Sequence, residues 1–287
     1  DWSSDVCSSD LSLPGDLNVL THNPDLPIST EEDFKNFKHY FEETEGWIEQ
    51  YKDEHTLVHF KNPENTAEIQ IKLVTDAMKD IPAQVIYECI HDPDYRKTWD
   101  DRMIEGFLIE QIDECNDIGY YSVGMPFIIS NRDWVNRRSW WHNPEMTEFI
   151  IFNFSHKHPL VPEKPGFVRA WSYKAGYYMK STPQGTIFYY FGWNAWNGWI
   201  PAWCVNKATK TMIGGVIDSL KTQAAAYSEW KSKHNPDDRP WLRLNEWQRK
   251  QRDEYLAAHK DDKKEEEKTE EVRSEERRVG KECRSRW

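Results

Sequence analysis

Cysteine is scarce in this chain and never occurs in a pair at metal-binding or redox spacing. The full sequence holds five cysteines, and Cys89, Cys115 and Cys204 are those that lie between its two ends. An odd, widely spaced set without a CxxC motif excludes a disulfide framework and predicts reduced thiols in a cytoplasmic protein. His156 and His158 lack a cysteine or carboxylate partner at ligand spacing, so no metal site is predicted.

Long apolar runs and enzyme signatures are also missing. No stretch approaches the roughly 18 apolar residues of a membrane-spanning helix, and no signal peptide is visible. The sequence has no GxSxG, HExxH, GxGxxG or P-loop motif. Asp100 with His91 or Cys89 is the only imaginable catalytic group, and nothing there activates a nucleophile. We therefore predict that the protein is not an enzyme and keep a hydrolase as the enzymatic alternative.

The chain has no excess of positive charge. It carries 37 Lys and Arg residues against 49 Asp and Glu residues, a formal net charge of −12. Such a chain is a poor binder of nucleic acid and lacks a general basic surface for anionic membranes. No nucleic-acid partner is predicted.

What the chain has in abundance is aromatic residues, and more than half of them lie between residues 120 and 203. One predicted strand there carries apolar side chains at every second position: Trp171, Tyr173, Ala175, Tyr177 and Met179. Because successive strand side chains point to opposite faces, this pattern predicts one apolar face. An aromatic wall with no nucleophile or metal cluster beside it favours a container for an apolar ligand.

The order of predicted elements indicates an α+β fold. The first helix is predicted to begin at Thr30, which caps it ahead of three acidic residues, and to end near Glu43. Three short strands, two helices and six further strands follow. A long helix then runs from Pro201 to about His234. This order predicts a curved, nine-stranded antiparallel sheet around the last helix.

The two ends of the chain look unlike the rest. Asp1–Leu11 and Arg273–Trp287 resemble translated adapter sequence, and we leave them out of fold reasoning. The predicted divisions are an N-terminal tail, a ligand-binding domain and a charged C-terminal tail, at 1–29, 30–234 and 235–287. Because the last segment is rich in charge, its deletion is expected to leave a folded domain that still binds its ligand.

Five motifs resemble the START (StAR-related lipid-transfer) family in sequence, order and spacing. They are DPDYRKTWD (92–100), MPFIISNRDWV (125–135), FVRAWSYKAGYYMKS (167–181), FYYF (188–191) and IPAWCVNKAT (200–209). The resemblance covers about Phe34 to His234. It implies the helix-grip START fold, in which the curved sheet grips the C-terminal helix around a lipid cavity.

Arg96 and Asp100 are four residues apart on a short predicted helix, and therefore share one face. From the residues alone, a surface ion pair worth less than about 1 kcal/mol is the simpler interpretation. The resemblance implies instead that the pair lies in the cavity and contacts the lipid phosphate. Arginine suits that role because its planar fork binds phosphate oxygens bidentately.

The resemblance also implies a cage of rings around a choline head group. The matching positions in this chain are all aromatic: Tyr121, Trp134, Tyr173 and Tyr190. Quaternary ammonium groups bind ring faces with about 0.5–2 kcal/mol per favourable contact. The alternative is ordinary core packing, the usual fate of strand aromatics.

The predicted function is to bind one glycerophospholipid, phosphatidylcholine and/or phosphatidylethanolamine, and to transfer it between membranes. The lipid is cargo, and no cofactor is predicted. Acyl chains are expected against Val205, Met212 and Val216. The protein is expected to be a cytoplasmic monomer that meets membranes transiently. A lipid sensor that does not transfer, or a scaffold whose tail helix binds partners, is the non-enzymatic alternative.

A closed cavity must open to exchange a two-chain lipid. We predict a gate formed by the loops 125–129 and 193–199 and the final helix. The apolar residues of the two loops suit a membrane interface, or alternatively plug the cavity in the closed state. Its members are Met125, Phe127, Ile128, Trp196 and Trp199. The pair Gly214 and Gly215 in the last helix marks either a soft point for opening or a site of close packing.

Overall fold

The computed structural model describes residues 27–61, 69–126, 128–200 and 202–260, without the side chains of 69, 202–214 and 216. The helices are α1 (Glu31–Glu42), α2 (Ala83–His91), α3 (Pro93–Trp99), α4 (Ala202–Lys233) and α5 (Glu246–Ala258), with a 3-10 turn at Pro240–Leu242. The strands are β1 (Ile48–Lys52), β2 (Thr56–Lys61), β3 (Ile69–Thr75), β4 (Met103–Asp113), β5 (Asn116–Val123), β6 (Asn131–His142), β7 (Glu148–Ser155), β8 (Phe167–Arg169), β9 (Trp171–Thr182) and β10 (Gly185–Ala195).

Nine strands form one antiparallel sheet in the order β1-β2-β3-β10-β9-β7-β6-β5-β4. This confirms the predicted α+β architecture. The tenth strand, β8, pairs in parallel with the start of β6, with Phe167 beside Asn131. This short strand precedes the strand predicted around Trp171 to Met179. The chain changes partner at Ala170, whose N–H donates to the carbonyl of Asp133 at 2.9 Å.

Helix α1 covers one side of the sheet, which we call the outer face. Asp33 accepts hydrogen bonds from the backbone and hydroxyl of Thr30, both at 2.8 Å, and so completes the predicted cap. Phe34 and Phe37 are almost fully buried against strand residues such as Phe152. The stripe of aromatic residues therefore fixes which side of the helix meets the sheet.

Helices α2 and α4 cover the opposite side, which we call the inner face. The described half of α4 buries Leu220, Ala224 and Tyr227 in one cluster with α2 and the inner strand residues. These residues recur at helical spacing and form one stripe along α4. Lys231 and Asp92 form a buried ion pair at 3.0 Å. Such a pair, once formed, is costly to break because each charge would be left without a partner.

The chain beyond the predicted domain end at His234 packs on the domain. Trp241 is 4 % exposed and Leu244 is 8 % exposed. The indole N–H of Trp247 donates to the carbonyl of Ser29 at 3.1 Å. The boundary at His234 stays a prediction, but part of the segment predicted as a tail is buried. Among the helices that the structure describes, none combines the length with the apolar character of a membrane-spanning segment.

Candidate functional site

Arg96 and Asp100 meet on α3 as their spacing predicted. Asp92 caps this helix by accepting from the N–H groups of Asp94 and Tyr95. The Nε of Arg96 donates to Oδ2 of Asp100 at 3.0 Å. The two side chains are 28 % and 12 % exposed. The pair is thus recessed, unlike the exposed ion pair of the simpler interpretation.

Tyr121 of β5 completes this charged group. Its hydroxyl donates to the same Oδ2 of Asp100 at 2.8 Å, and its ring centroid lies 5.2 Å from Cζ of Arg96. Burial raises the pKa of Tyr121, so the phenol stays protonated. Burial opposes the charge of Arg96, but Tyr121, Tyr177 and Asp100 outweigh it and raise the pKa of Arg96. The site therefore offers a permanent cation held in place by a carboxylate and a phenol.

Trp134 extends the group along the sheet. It is the cross-strand partner of Tyr121, with ring centroids 6.2 Å apart, and is 7 % exposed. The ring of Trp196 meets it edge-on, at 5.4 Å and 85°. Trp196, predicted as part of the gate, thus lies against a predicted cage residue.

Tyr190 lies on the inner face, paired with Tyr177 across β9 and β10 at 5.5 Å. Burial raises the pKa of Tyr190. Sequence reasoning did not assign Tyr177 to the site, although this residue is close enough to Arg96 to raise its pKa. Tyr177 belongs to the apolar strand face predicted from the alternation, and this membership could have identified it as a site residue.

The fold does not place Tyr173 beside Arg96, Tyr121 and Trp134. Its ring lies 4.8 Å from that of Trp193, which packs with the outer cluster, and it is 39 % exposed. The cause is an irregularity in the ladder, where Trp193 pairs with Lys174 and the next residue, Asn194, pairs with Ser172. Tyr173 is the extra residue of a β-bulge, and a bulge interrupts the alternation of faces.

A second arginine–carboxylate pair lies near the first and escaped the sequence analysis. Nε of Arg138 donates to Oδ1 of Asp117 at 2.6 Å, and Asp117 is 4 % exposed. Burial opposes the charge of Arg138, but Asp117 outweighs it and raises the pKa of Arg138. Arg96 partly offsets this rise, so the two guanidinium groups are close enough to interact. Since the residues stand on β5 and β6, only the strand register brings them together.

The structure describes part of the predicted gate. Ile128 and Trp199 are 55 % and 68 % exposed, and the N–H of Met125 donates to Oδ1 of Asn131 at 3.0 Å. Strand β10 extends to Ala195, so the second loop begins at Trp196 and not, as predicted, at Trp193. Phe127 and the side chains of Val205, Met212 and Val216 lie outside what the structure describes.

The histidines near β7 do not form a metal centre in the part of the chain that the structure describes. Nε2 of His158 lies 3.1 Å from Oε2 of Glu110. No group of three or more potential metal ligands occurs among the described residues.

A sheet that grips a long helix, with charged and aromatic groups on the covered face, defines a helix-grip domain. The START domain family model matches residues 28–231, and the chain belongs to this lipid-transfer family. It is 33 % identical to mouse START domain-containing protein 10 over 219 residues, covering 76 % of this chain and 74 % of that protein. It is 32 % identical to human phosphatidylcholine transfer protein over 167 residues, covering 56 % and 74 % of the two chains.

Solved structures agree with this assignment. The crystal structure of human STARD10 matches with a TM-score of 0.69 and 32 % identity, covering 76 % of this chain and 88 % of that chain. Human StAR-related lipid transfer protein 5 matches with a TM-score of 0.59 and 18 % identity, covering 68 % and 93 %. The second likeness shows the fold alone.

Proposed function

We propose that this protein binds one glycerophospholipid, phosphatidylcholine and/or phosphatidylethanolamine, under α4 and transfers it between membranes. One observation carries the proposal. Arg96 is recessed beside the ring of Tyr121, and the ring of Trp134 adjoins that of Tyr121 on the inner face of the sheet. A cation next to aromatic rings matches a zwitterionic head group, which carries both a phosphate and an ammonium.

The phosphate is assigned to Arg96. Arg96 donates to Asp100 through Nε, so its terminal nitrogens can turn to phosphate oxygens. Asp100 itself accepts from both Arg96 and Tyr121, which fixes the guanidinium before the lipid arrives. A preorganised, charge-assisted contact loses less entropy on binding than a mobile one.

The ammonium is assigned to the rings of Trp134, Tyr121 and Tyr190. Quaternary ammonium groups are attracted to ring faces, most strongly to tryptophan. Primary ammonium also binds aromatic faces but can donate hydrogen bonds as well, so ethanolamine lipids fit the same site.

The acyl chains are assigned to the apolar inner surface. Val205, Met212 and Val216 precede Leu220 and Ala224 on the helical stripe. Each buried CH₂ contributes about 0.8 kcal/mol.

Exchange is assigned to the exposed Ile128 and Trp199, which meet the membrane. A sensor or scaffold that holds lipid without transferring it is the second candidate, and a vesicle-to-vesicle transfer assay separates it.

The decisive test replaces Arg96 by lysine, which keeps the charge and loses the fork. The Arg96→Lys protein is expected to keep its melting temperature and to lose phosphatidylcholine transfer at least about tenfold, roughly one charge-assisted hydrogen bond. Arg102→Lys is the matched control, because Arg102 is exposed just beyond α3. Unchanged transfer by a folded Arg96→Lys protein would contradict the proposal. Native mass spectrometry of the purified protein identifies the lipid it carries.

A further inference from the structure

Arg132 is a buried charge whose hydrogen bonds go to main-chain carbonyls. It is 0 % exposed, and no carboxylate pairs with it among the described residues. Its Nε donates to the carbonyl of Trp196 at 3.0 Å, and its Nη2 donates to the carbonyl of Asn197 at 2.7 Å. Nη2 is also 3.5 Å from the carbonyl of Trp199, and Nη1 donates to the carbonyl of Ser130. One side chain therefore fixes the backbone of the loop 196–199.

The backbone of the loop 196–199 forms a tight turn that brings these carbonyls towards Arg132. Asn197 and Gly198 have φ values of 47° and 61°, in the left-handed region that favours glycine and asparagine. A Cβ added at Gly198 would lie 3.2 Å from Cγ1 of Val168 on β8. The side chain of Asn197 also donates to the carbonyl of Arg169 at 2.9 Å. The tight turn thus rests on both β8 and Arg132.

This turn presents two tryptophans in opposite ways. Trp196 meets the ring of Trp134 at 5.4 Å and 85°, and Trp134 adjoins Tyr121. Trp199 is 68 % exposed. The same short loop therefore has one ring at the proposed head-group site and one ring at the surface.

We propose that Trp196 is a head-group specificity residue and that Arg132 is the positioning residue that holds it there. Rings at right angles form a corner in which a quaternary ammonium contacts two faces. Trp196 takes the position in the aromatic cage that the resemblance implied for Tyr173. This inference rests on the proposed function. It also couples the site to the membrane, because movement of Trp199 would carry Trp196 away from the cation.

The first test measures equilibrium binding of dihexanoyl phosphatidylcholine and dihexanoyl phosphatidic acid to the full chain, without membranes. Trp196→Ala is expected to weaken binding of the choline lipid about two- to thirty-fold, the value of one cation–π contact. Binding of phosphatidic acid, which lacks the cation, is expected to change less than about twofold. Trp199→Ala is the matched control and should leave both affinities unchanged while slowing transfer between vesicles.

The second test examines positioning. Arg132→Lys is expected to lower the choline-to-phosphatidic-acid preference as Trp196→Ala does, and the double mutant should add little to either single change. A purely structural role would weaken both lipids equally and overturn this assignment. If either variant is unfolded, Trp196→Phe and Trp196→Leu are compared, and equal choline preference in the two would contradict the inference.

The outcomes separate the inference from the function beneath it. If Arg96→Lys loses phospholipid binding while Trp196→Ala behaves like Trp199→Ala, the proposed function stands and Trp196 has no head-group role. If the wild-type protein does not prefer the choline lipid, the ammonium assignment in the proposed function fails, and this inference fails with it.

Discussion

The segment 235–260 should contribute a large share of the stability of the domain, although it lies outside residues 28–231 that match the family. The test compares a truncated chain that ends at His234 with one that ends at Lys260. Both lack the charged run that follows, so the difference between them isolates the packed segment.

The expected loss follows from three groups. Trp241 and Leu244 are 4 % and 8 % exposed, and burying such side chains contributes about 1.5–3 kcal/mol each. The hydroxyl of Tyr87, which is fully buried, donates to the carbonyl of Trp241 at 2.8 Å and would lose its partner. A buried donor without a partner costs about 1–3 kcal/mol.

An ion pair adds to this loss. Glu88 is 2 % exposed, and Nη1 of Arg239 donates to both of its carboxylate oxygens, at 2.8 and 2.9 Å. Removing one partner of a fully buried pair typically costs about 3–5 kcal/mol, and this pair contributes less because solvent screens the Arg239 side chain, which is 36 % exposed. The combined loss is therefore comparable to the roughly 5–15 kcal/mol that holds an ordinary domain together.

Urea unfolding followed by far-UV circular dichroism measures the difference. The chain ending at 234 is expected to be unfolded or to have a much lower midpoint, while the chain ending at 260 should match the full-length protein. Equal midpoints for the two would refute the reasoning and restore the expectation that 235–287 is dispensable. Arg239→Gln in the longer chain tests the ion pair alone.

Three further results are expected. Gly215→Ala should stabilise α4 by about 0.5–1 kcal/mol in thermal melting, because no atom of the described residues lies within 4 Å of a Cβ placed there; a lower melting temperature would contradict this. Burial lowers the pKa of His91 to about 3, so its unfolded form binds a proton first and stability should fall as pH drops from about 6.5 to 3, by at most about 1.4 kcal/mol per pH unit; His91→Gln should flatten this slope in urea titrations at several pH values. Tyr190→Ala should weaken dihexanoyl phosphatidylcholine binding more than Tyr173→Ala does, because Tyr173 lies beside Trp193 on the outer side; equal losses would place Tyr173 at the site.

Periodicity predicted most of the fold because long elements repeat their signal. The stripe of Phe34 and Phe37 and that of Leu220 and Ala224 each recur at helical spacing, so burial of one face was foreseeable. The order in which the strands pair was not predicted, because no local pattern contains it.

The features that the sequence did not predict share a physical cause, because local sequence does not specify strand register. One extra residue at Tyr173 places its ring beside Trp193, and its role in the cage stays a prediction. Arg138 and Asp117 became neighbours only through the pairing of β5 with β6. The packing of Trp241 was hidden because the surrounding segment is rich in charge, and composition averages over the few side chains that are buried.

The position of β10 between β3 and β9 has a consequence for how the chain folds. Phe188 pairs with Thr75 and Asn194 with Ile69, so the first three strands join the sheet through a strand made much later. Contacts this distant in sequence close slowly, since the intervening chain must lose its freedom first. During synthesis on the ribosome, one edge of β3 stays unpaired until Ala195, the last residue of β10, has left the exit tunnel. An exposed strand edge attracts other chains, so this interval is when the nascent protein should depend most on chaperones.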